Sequence, residues 1–177
     1  MIRLLVLLCA AAAVLAGCAT PEGPATRLDK ANVLPLALDD SYQFRKILTS
    51  LFDPEIVEQQ VGSGQNTGGV IEFERLRRTW GAVESFEVAK RHGNDFIIFW
   101  RTSKESDVTL RLEYRQAGLG NYVMAQERFY PAARGSYRST FQVVGDDFLE
   151  NGRVSAWRAL LIVDGRVVGL SQSYMWR

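Results

Sequence analysis

The chain has 177 residues, 47% of them hydrophobic, with 21 Lys and Arg against 20 Asp and Glu. That length predicts one domain with a short tail, and the even charge excludes a broad nucleic-acid surface, which needs a surplus of cations. The apolar content excludes a disordered chain, while two cysteines and one histidine exclude a zinc ribbon, a Cys/His cluster and a disulfide framework.

Met1-Ile2-Arg3 is a short basic start, and an apolar run follows from Leu4 to Ala16. The run is shorter than the roughly 18–20 residues that span a bilayer and ends in small residues, so it reads as a secretory signal peptide. Its end, Leu15-Ala16-Gly17-Cys18, resembles the lipobox of bacterial lipoproteins. The resemblance implies a signal peptide over residues 1–17, cut before Cys18, whose thiol then carries a diacylglycerol. Two acyl chains suffice for stable attachment, at ~0.8 kcal/mol for each buried methylene. Ala19 stands where Asp favours inner-membrane retention in Gram-negative bacteria, so the implied address is the outer membrane, lipid-anchored and facing the periplasm. Cleavage leaves 160 residues with 20 cationic and 20 anionic side chains, and Cys18 as their only cysteine. The exported domain is therefore expected to be held by its core, without a disulfide. A domain near 150 residues manages this, burying roughly 70% of its unfolded surface.

Residues 18–32 hold Pro21, Gly23 and Pro24 with few large apolar side chains, so the lipidated cysteine is expected to lead into a flexible tether. Extended at ~3.1 Å per residue, that tether reaches some 40 Å from the membrane. Residues 33–177 then form a single globular domain. Asp39-Asp40-Ser41 offers helix N-caps, and Phe44, Ile47, Leu48, Leu51 and Phe52 follow at helical spacing. Asp53-Pro54 stops this helix and starts a second, short one that runs to Val61. Gly62 to Gly69 is a glycine-rich loop, but no Gly-Lys-Ser/Thr follows to make a phosphate loop. A helix is expected over Glu72–Trp80.

From Glu84 onward the chain reads as strands: Ser85–Arg91, Phe96–Thr102, Val108–Gln116, Tyr122–Tyr130, Tyr137–Val144, Val154–Val163 and Arg166–Trp176. Short breaks between them predict antiparallel pairing, since a parallel crossover needs a dozen or more residues. Asp164-Gly165 predicts a type I′ hairpin turn. That turn sets Leu161 opposite Val168 and Trp157 opposite Gln172. Val168, Leu170, Tyr174 and Trp176 would then share a face with Trp157, Ala159 and Leu161. The expected fold class is α+β, with N-terminal helices packed on a largely antiparallel β-sheet or sandwich of about seven strands; an all-β sandwich is the alternative. Leu76-Arg77-Arg78-Thr79-Trp80 ahead of the strands resembles the cone-shaped NTF2-like domains over Asp40 to Tyr114, which gives a second alternative. The strands after Gly135 depart from that family.

Chemistry has few candidates. His92 falls in a turn, His92-Gly93-Asn94-Asp95, and no Gly-x-Ser-x-Gly accompanies it, so a serine triad is not expected. Asp146, Asp147 and Glu150 form the densest acidic group beside Asn151. A carboxylate pair could hydrolyse a glycosidic bond, but the group reads better as a solvated turn and lacks the ligand pattern of a calcium-binding EF-hand. Trp80, Trp100, Trp157 and Trp176, with Tyr114, Tyr122, Tyr130, Tyr137 and Tyr174, make either a sugar-stacking platform or a core. Arg75, Arg77, Arg78, Arg111, Arg115, Arg128, Arg134 and Arg138 could grip anionic glycans, yet Glu72, Glu74, Glu113 and Glu127 among them predict salt pairing first. The expectation is a non-enzymatic accessory or assembly factor for an envelope protein partner, with no cofactor, no metal and no nucleic acid. The alternatives are a peptidoglycan or polysaccharide binding module and a hydrolase using a carboxylate pair. The membrane is the first partner, through lipid on Cys18. Metabolic labelling with a fatty acid is expected to mark the wild type and to leave Cys18→Ser unlabelled; equal labelling of both would end the lipoprotein reading.

Overall fold

The computed structural model describes residues 22–28, 31–53, 79–82 and 84–176. The signal peptide, Cys18, the short helix after Pro54, the glycine-rich loop and nearly all of the expected helix Glu72–Trp80 lie outside the described residues. Six strands form one antiparallel sheet: β1 (Thr26–Leu28), β2 (Tyr42–Phe52), β3 (Gly93–Gln116), β4 (Met124–Val144), β5 (Val154–Val163) and β6 (Arg166–Gln172). Their order is β1-β4-β3-β5-β6, and β2 also pairs with β3. Among the described residues two short α-helices, α1 (Ser85–Ala89) and α2 (Asp146–Asn151), accompany them. The protein is thus mostly antiparallel β, and an all-β sandwich fits it; N-terminal helices packed on the sheet are absent from the described residues.

The expected helix over Phe44–Phe52 is strand β2, paired with β3 along its length. A bulge explains the misleading period. Phe44 pairs with Trp100 and Lys46 with Phe99, so Arg45 is an extra residue. The inward set becomes Tyr42, Phe44 and Ile47, and the step from 44 to 47 imitates a helical turn. The expected strand Ser85–Arg91 is instead the helix α1, whose Glu84 N–H donates to the Glu87 carboxylate at 3.4 Å in a capping-box spacing.

Two pairs of expected strands merge. Phe96–Thr102 and Val108–Gln116 are parts of the 24-residue β3, and Tyr122–Tyr130 and Tyr137–Val144 are parts of the 21-residue β4. Register shifts between Thr102 and Val108 mark a bend opposite Pro131–Gly135, where Ala132 (φ 45°) and Gly135 (φ 98°) turn the partner strand. Asp107 accepts a hydrogen bond from Ala132 N at 2.8 Å and ties the two sides of the bend. The β3–β4 ribbon therefore folds over on itself. Its upper half (93–102 with 135–144) carries β2, and its lower half (108–116 with 124–130) carries β5 and β6. Between the halves lie Phe96, Ile98, Trp100, Phe141 and Val143 from above, and Val108, Leu110, Leu112, Tyr114 and Leu161 from below, all essentially inaccessible.

The segment before β2 closes the arrangement. Ala37 and Asp39 N–H donate to the Val167 and Val168 carbonyls at 2.8 and 3.0 Å, and Val167 N–H donates to Pro35 O at 2.9 Å. The hydrogen-bonded circuit runs β3–β5–β6–residues 35–39–β2 and back to β3. Strand β5 has the expected bounds and Asp164-Gly165 is a left-handed turn (φ 49° and 70°). The expected register holds only beside the turn, where Ile162 faces Val167. A bulge between Leu161 and Ile162 then sets Leu161 opposite Gly169 and Arg158 opposite Gln172. As a result Leu170 faces Leu160 on the outer side of the sheet, away from Val168 and Leu161.

Gly165 and Gly93 both have positive φ, but only Gly93 is crowded: a Cβ there would sit 2.1 Å from Val143 O, whereas one at Gly165 meets nothing within 4 Å. Gly165→Val is expected to lower stability by roughly 1–3 kcal/mol through backbone strain alone. Gly93→Ala must also push the upper half of β4 away, so its denaturation midpoint is expected to fall further. Equal midpoints for wild type and both variants would contradict the strand pairing at Gly93 and the turn at Gly165.

Candidate functional site

Within the stretch expected as a flexible tether, residues 22–28 lie along the domain. Thr26, Arg27 and Leu28 pair with Glu127, Gln126 and Ala125 at the edge of β4's lower half. Upstream, the Glu22 carboxylate accepts from Thr140 N at 2.6 Å and lies 3.5 Å from Arg128 Nε and from the Tyr130 hydroxyl. Arg128 also donates to Gly23 O. These contacts satisfy an edge that would otherwise offer bare backbone. Thr140 O accepts from Arg128 at 2.7 and 3.0 Å, and Gln142 O accepts from Gln126 at 2.8 Å. Side chains of β4's lower half and the tether's Glu22 thus cap backbone groups along its upper half.

Magnitudes show that this docking is a joint effect. Ordering one residue's backbone costs about 1–2 kcal/mol, while an exposed ion pair such as Arg27–Asp147 at 2.5 Å contributes about 0–1. Hydrogen bonds to the charged Glu22 contribute at most about 1.5–3 kcal/mol each. The three-residue ladder and Ala25, which packs against the core, supply further stabilisation.

The N-terminal segment continues as a belt. Asn32 O accepts from Arg111 Nη1 at 3.0 Å, Leu34 packs on Leu160, Ile162 and Val167, and residues 35–39 line β6. Under the belt the outer face of the lower half carries a chain of ion pairs. Arg111 faces Glu127 and reaches it at 2.5 Å, and Glu113 faces Arg158 and meets it at 2.6 Å. Arg111 and Glu113 are themselves 3.5 Å apart and buried. This is the cross-strand pairing expected for Glu113 and Glu127; Arg75, Arg77, Arg78, Glu72 and Glu74 lie outside the described residues. Trp176 lies over the same face, with the Arg115 and Arg158 guanidinium carbons 4.7 and 4.8 Å from its ring. It does not share the inner face with Trp157.

The remaining candidates disperse. His92 ends the turn after α1 and packs edge-on against Phe52 with ring centres 5.4 Å apart. Asp147 is held by Arg27, while Asp146 and Glu150 sit on α2. No group of three His, Cys, Asp or Glu side chains suited to a metal occurs among the described residues. The aromatic residues mostly build the interior. Trp100 stacks on Tyr137 at 4.5 Å, meets Tyr130 edge-on, and donates to Ser139 Oγ at 2.9 Å. Burial pushes the Tyr114 and Tyr130 phenols above their ordinary pKa, so both stay protonated, Tyr114 accepting from Gln126 Nε2 and Tyr130 paired with Ser139 Oγ. Of the Trp and Tyr side chains among the described residues, Trp80, Tyr122 and Tyr174 are exposed, on three separate segments. Tyr122 lines an open cleft of about 380 Å³ with Arg27, Leu28, Leu119, Met124 and Asn151, at the end of the sheet where β1 stops. Sequence reasoning missed Glu22, Arg27 and Arg128 as a dock, because three β-compatible residues set no detectable period. The chain matches no protein-family model, no curated protein and no solved structure.

The belt is fastened to the bend by Asp39, whose carboxylate accepts from Lys104 Nζ at 2.7 Å and from Ser41 N at 2.8 Å. The Lys104 hydrogen bond, then those from Ser41, hold its pKa down at about 2. A depressed carboxyl pKa stabilises the fold above the unfolded value of about 3.9, and that contribution disappears as pH falls toward 2. In Lys104→Met, the Asp39 carboxyl carbon is expected to titrate closer to the ordinary aspartate value, followed by NMR. A midpoint still near 2 would assign the shift to Ser41 alone.

Proposed function

We propose that the chain is a lipid-anchored outer-membrane lipoprotein whose β domain acts as a non-enzymatic accessory or assembly factor for an envelope protein partner. The single observation that carries the reading is the lipobox-like Leu15-Ala16-Gly17-Cys18 followed, four residues on, by a segment laid along the folded domain. Ala19 supports the outer membrane as the address. The space between the two halves of the sheet is filled by Trp100, Tyr114, Phe96 and Phe141, all almost fully buried. Such an interior supports a role played on the surface, through backbone edges, loops and the cleft beside β1. A peptidoglycan or polysaccharide module is the second reading, favoured by Tyr122, which is 56% exposed in that cleft and offers a ring face to a sugar.

A factor of this kind works by raising the local concentration of its domain beside a membrane-bound partner, whereas an enzyme keeps its intrinsic turnover when released. Residues Ala19–Arg177 exported through a cleavable signal without a lipobox, at wild-type periplasmic level, are expected to complement a deletion poorly. Anchored His92→Ala is expected to complement fully. Full rescue by the soluble form together with loss of function in His92→Ala would replace this reading with an enzymatic one.

A further inference from the structure

The docked N-terminal segment carries information about orientation that a free tether would lack. If Cys18 bears lipid, as proposed above, its backbone lies at the bilayer surface. Four residue steps separate Cys18 from Glu22, and an extended chain spans at most ~3.6 Å per residue, so Glu22 lies within about 14 Å of the anchored cysteine. Glu22 is not free to move from the domain, because Thr140 N, Arg128 and the Tyr130 hydroxyl hold it. The ~40 Å of slack expected from residues 18–32 is therefore mostly absent.

The direction of β1 selects the end of the domain involved. Thr26 faces Glu127 and Leu28 faces Ala125, so the chain read backwards from Leu28 runs toward the bend at Pro131–Gly135. The bend presents exposed Arg134 and Ser136, with Phe129 (58% exposed) and Arg138 on the β4 residues flanking it. Lys104 across the bend is committed to Asp39. The opposite end, with the cleft lined by Leu119, Tyr122 and Met124, lies beyond six strand steps of about 3.3 Å, or ~20 Å along β4.

We infer that the bent edge of β4 is the membrane-facing surface of the domain. Arg134 and Arg138 meet the phospholipid headgroups, and the cleft end points away from the bilayer toward the partner. Arginine suits phosphate oxygens through bidentate hydrogen bonds. The short docked segment makes this contact intramolecular once the lipid is inserted, so weak individual contacts suffice to bias orientation. The inference rests on the lipid-anchor reading and adds to it the side of the domain that faces the bilayer.

The test uses the lipidated full-length protein in vesicles of phosphatidylethanolamine and phosphatidylglycerol, with a fluorophore at Ser136→Cys or at Asn121→Cys. Both positions are exposed, so neither substitution disturbs the core. A quencher attached to lipid headgroups is expected to dim the label at position 136 several-fold more than the label at 121. Inserting a dozen Gly and Ser residues between Cys18 and Glu22 is expected to bring the two closer together, and Arg134→Glu with Arg138→Glu to reduce the difference further. Flotation and fatty-acid content are measured on the same samples. A protein that carries no lipid removes the anchor and this inference with it. A lipidated, floating protein whose two labels are quenched equally, or in the reverse order, overturns the orientation and leaves the anchor standing.

Discussion

The folding-over of the β3–β4 ribbon is the constraint on which the rest of the structure depends. Two strands of 24 and 21 residues could not remain a flat ribbon, since both faces would leave large apolar side chains in water. Bending at 102–108 and 131–135 sets Phe96, Ile98, Trp100 and Phe141 against Leu110, Leu112, Tyr114 and Tyr130 in one interior. The bend also decides what pairs where. It divides one edge of β3 between β2 and β5, and it brings Gln126 and Arg128 close enough to cap Gln142 and Thr140 of the same strand.

Closure of the sheet follows from the same geometry. With β2 on the upper half and β6 on the lower, the preceding residues 35–39 bridge the gap by bonding to β6. An edge strand that would template aggregation is thereby covered by the chain itself. The N-terminal segment serves three purposes in sequence: β1 covers part of the β4 edge, the belt covers the ion pairs of the outer face, and β2 completes the upper half.

The buried Arg111–Glu113 chain has a different physical role from the aromatic interior. Desolvating such charges costs several kcal/mol per ion before pairing offsets it, so it is a poor source of net stability. It is, however, sensitive to register. Arg111 faces Glu127 and Glu113 faces Arg158 only in the observed pairing, and a one-residue slip of β3 would send Arg111 and Glu113 to the apolar interior. Trp176, itself buried, lies against the guanidinium groups of Arg115 and Arg158 on this face.

What the sequence by itself determined was local. The Asp164-Gly165 turn, the bounds of β5, the antiparallel character and the pairing of Glu113 and Glu127 with arginines were legible, because a two-residue turn and period-two alternation leave their mark within a few neighbouring residues. The lipobox-like end at Cys18 is equally local, and from it the anchor is proposed. Everything set by long-range pairing was decided by the tertiary structure. One extra residue at Arg45 turned strand alternation into an apparent helix, and a bulge after Leu161 moved Leu170 to the outer face. The two bends joined four expected strands into two, since Ser103–Asp107 and Pro131–Gly135 have loop-like composition yet stay within paired strands. The tether's docking was invisible for the same reason: Glu22 and Thr26–Leu28 acquire partners only from a β4 edge some hundred residues away, which exists only once the ribbon has folded over.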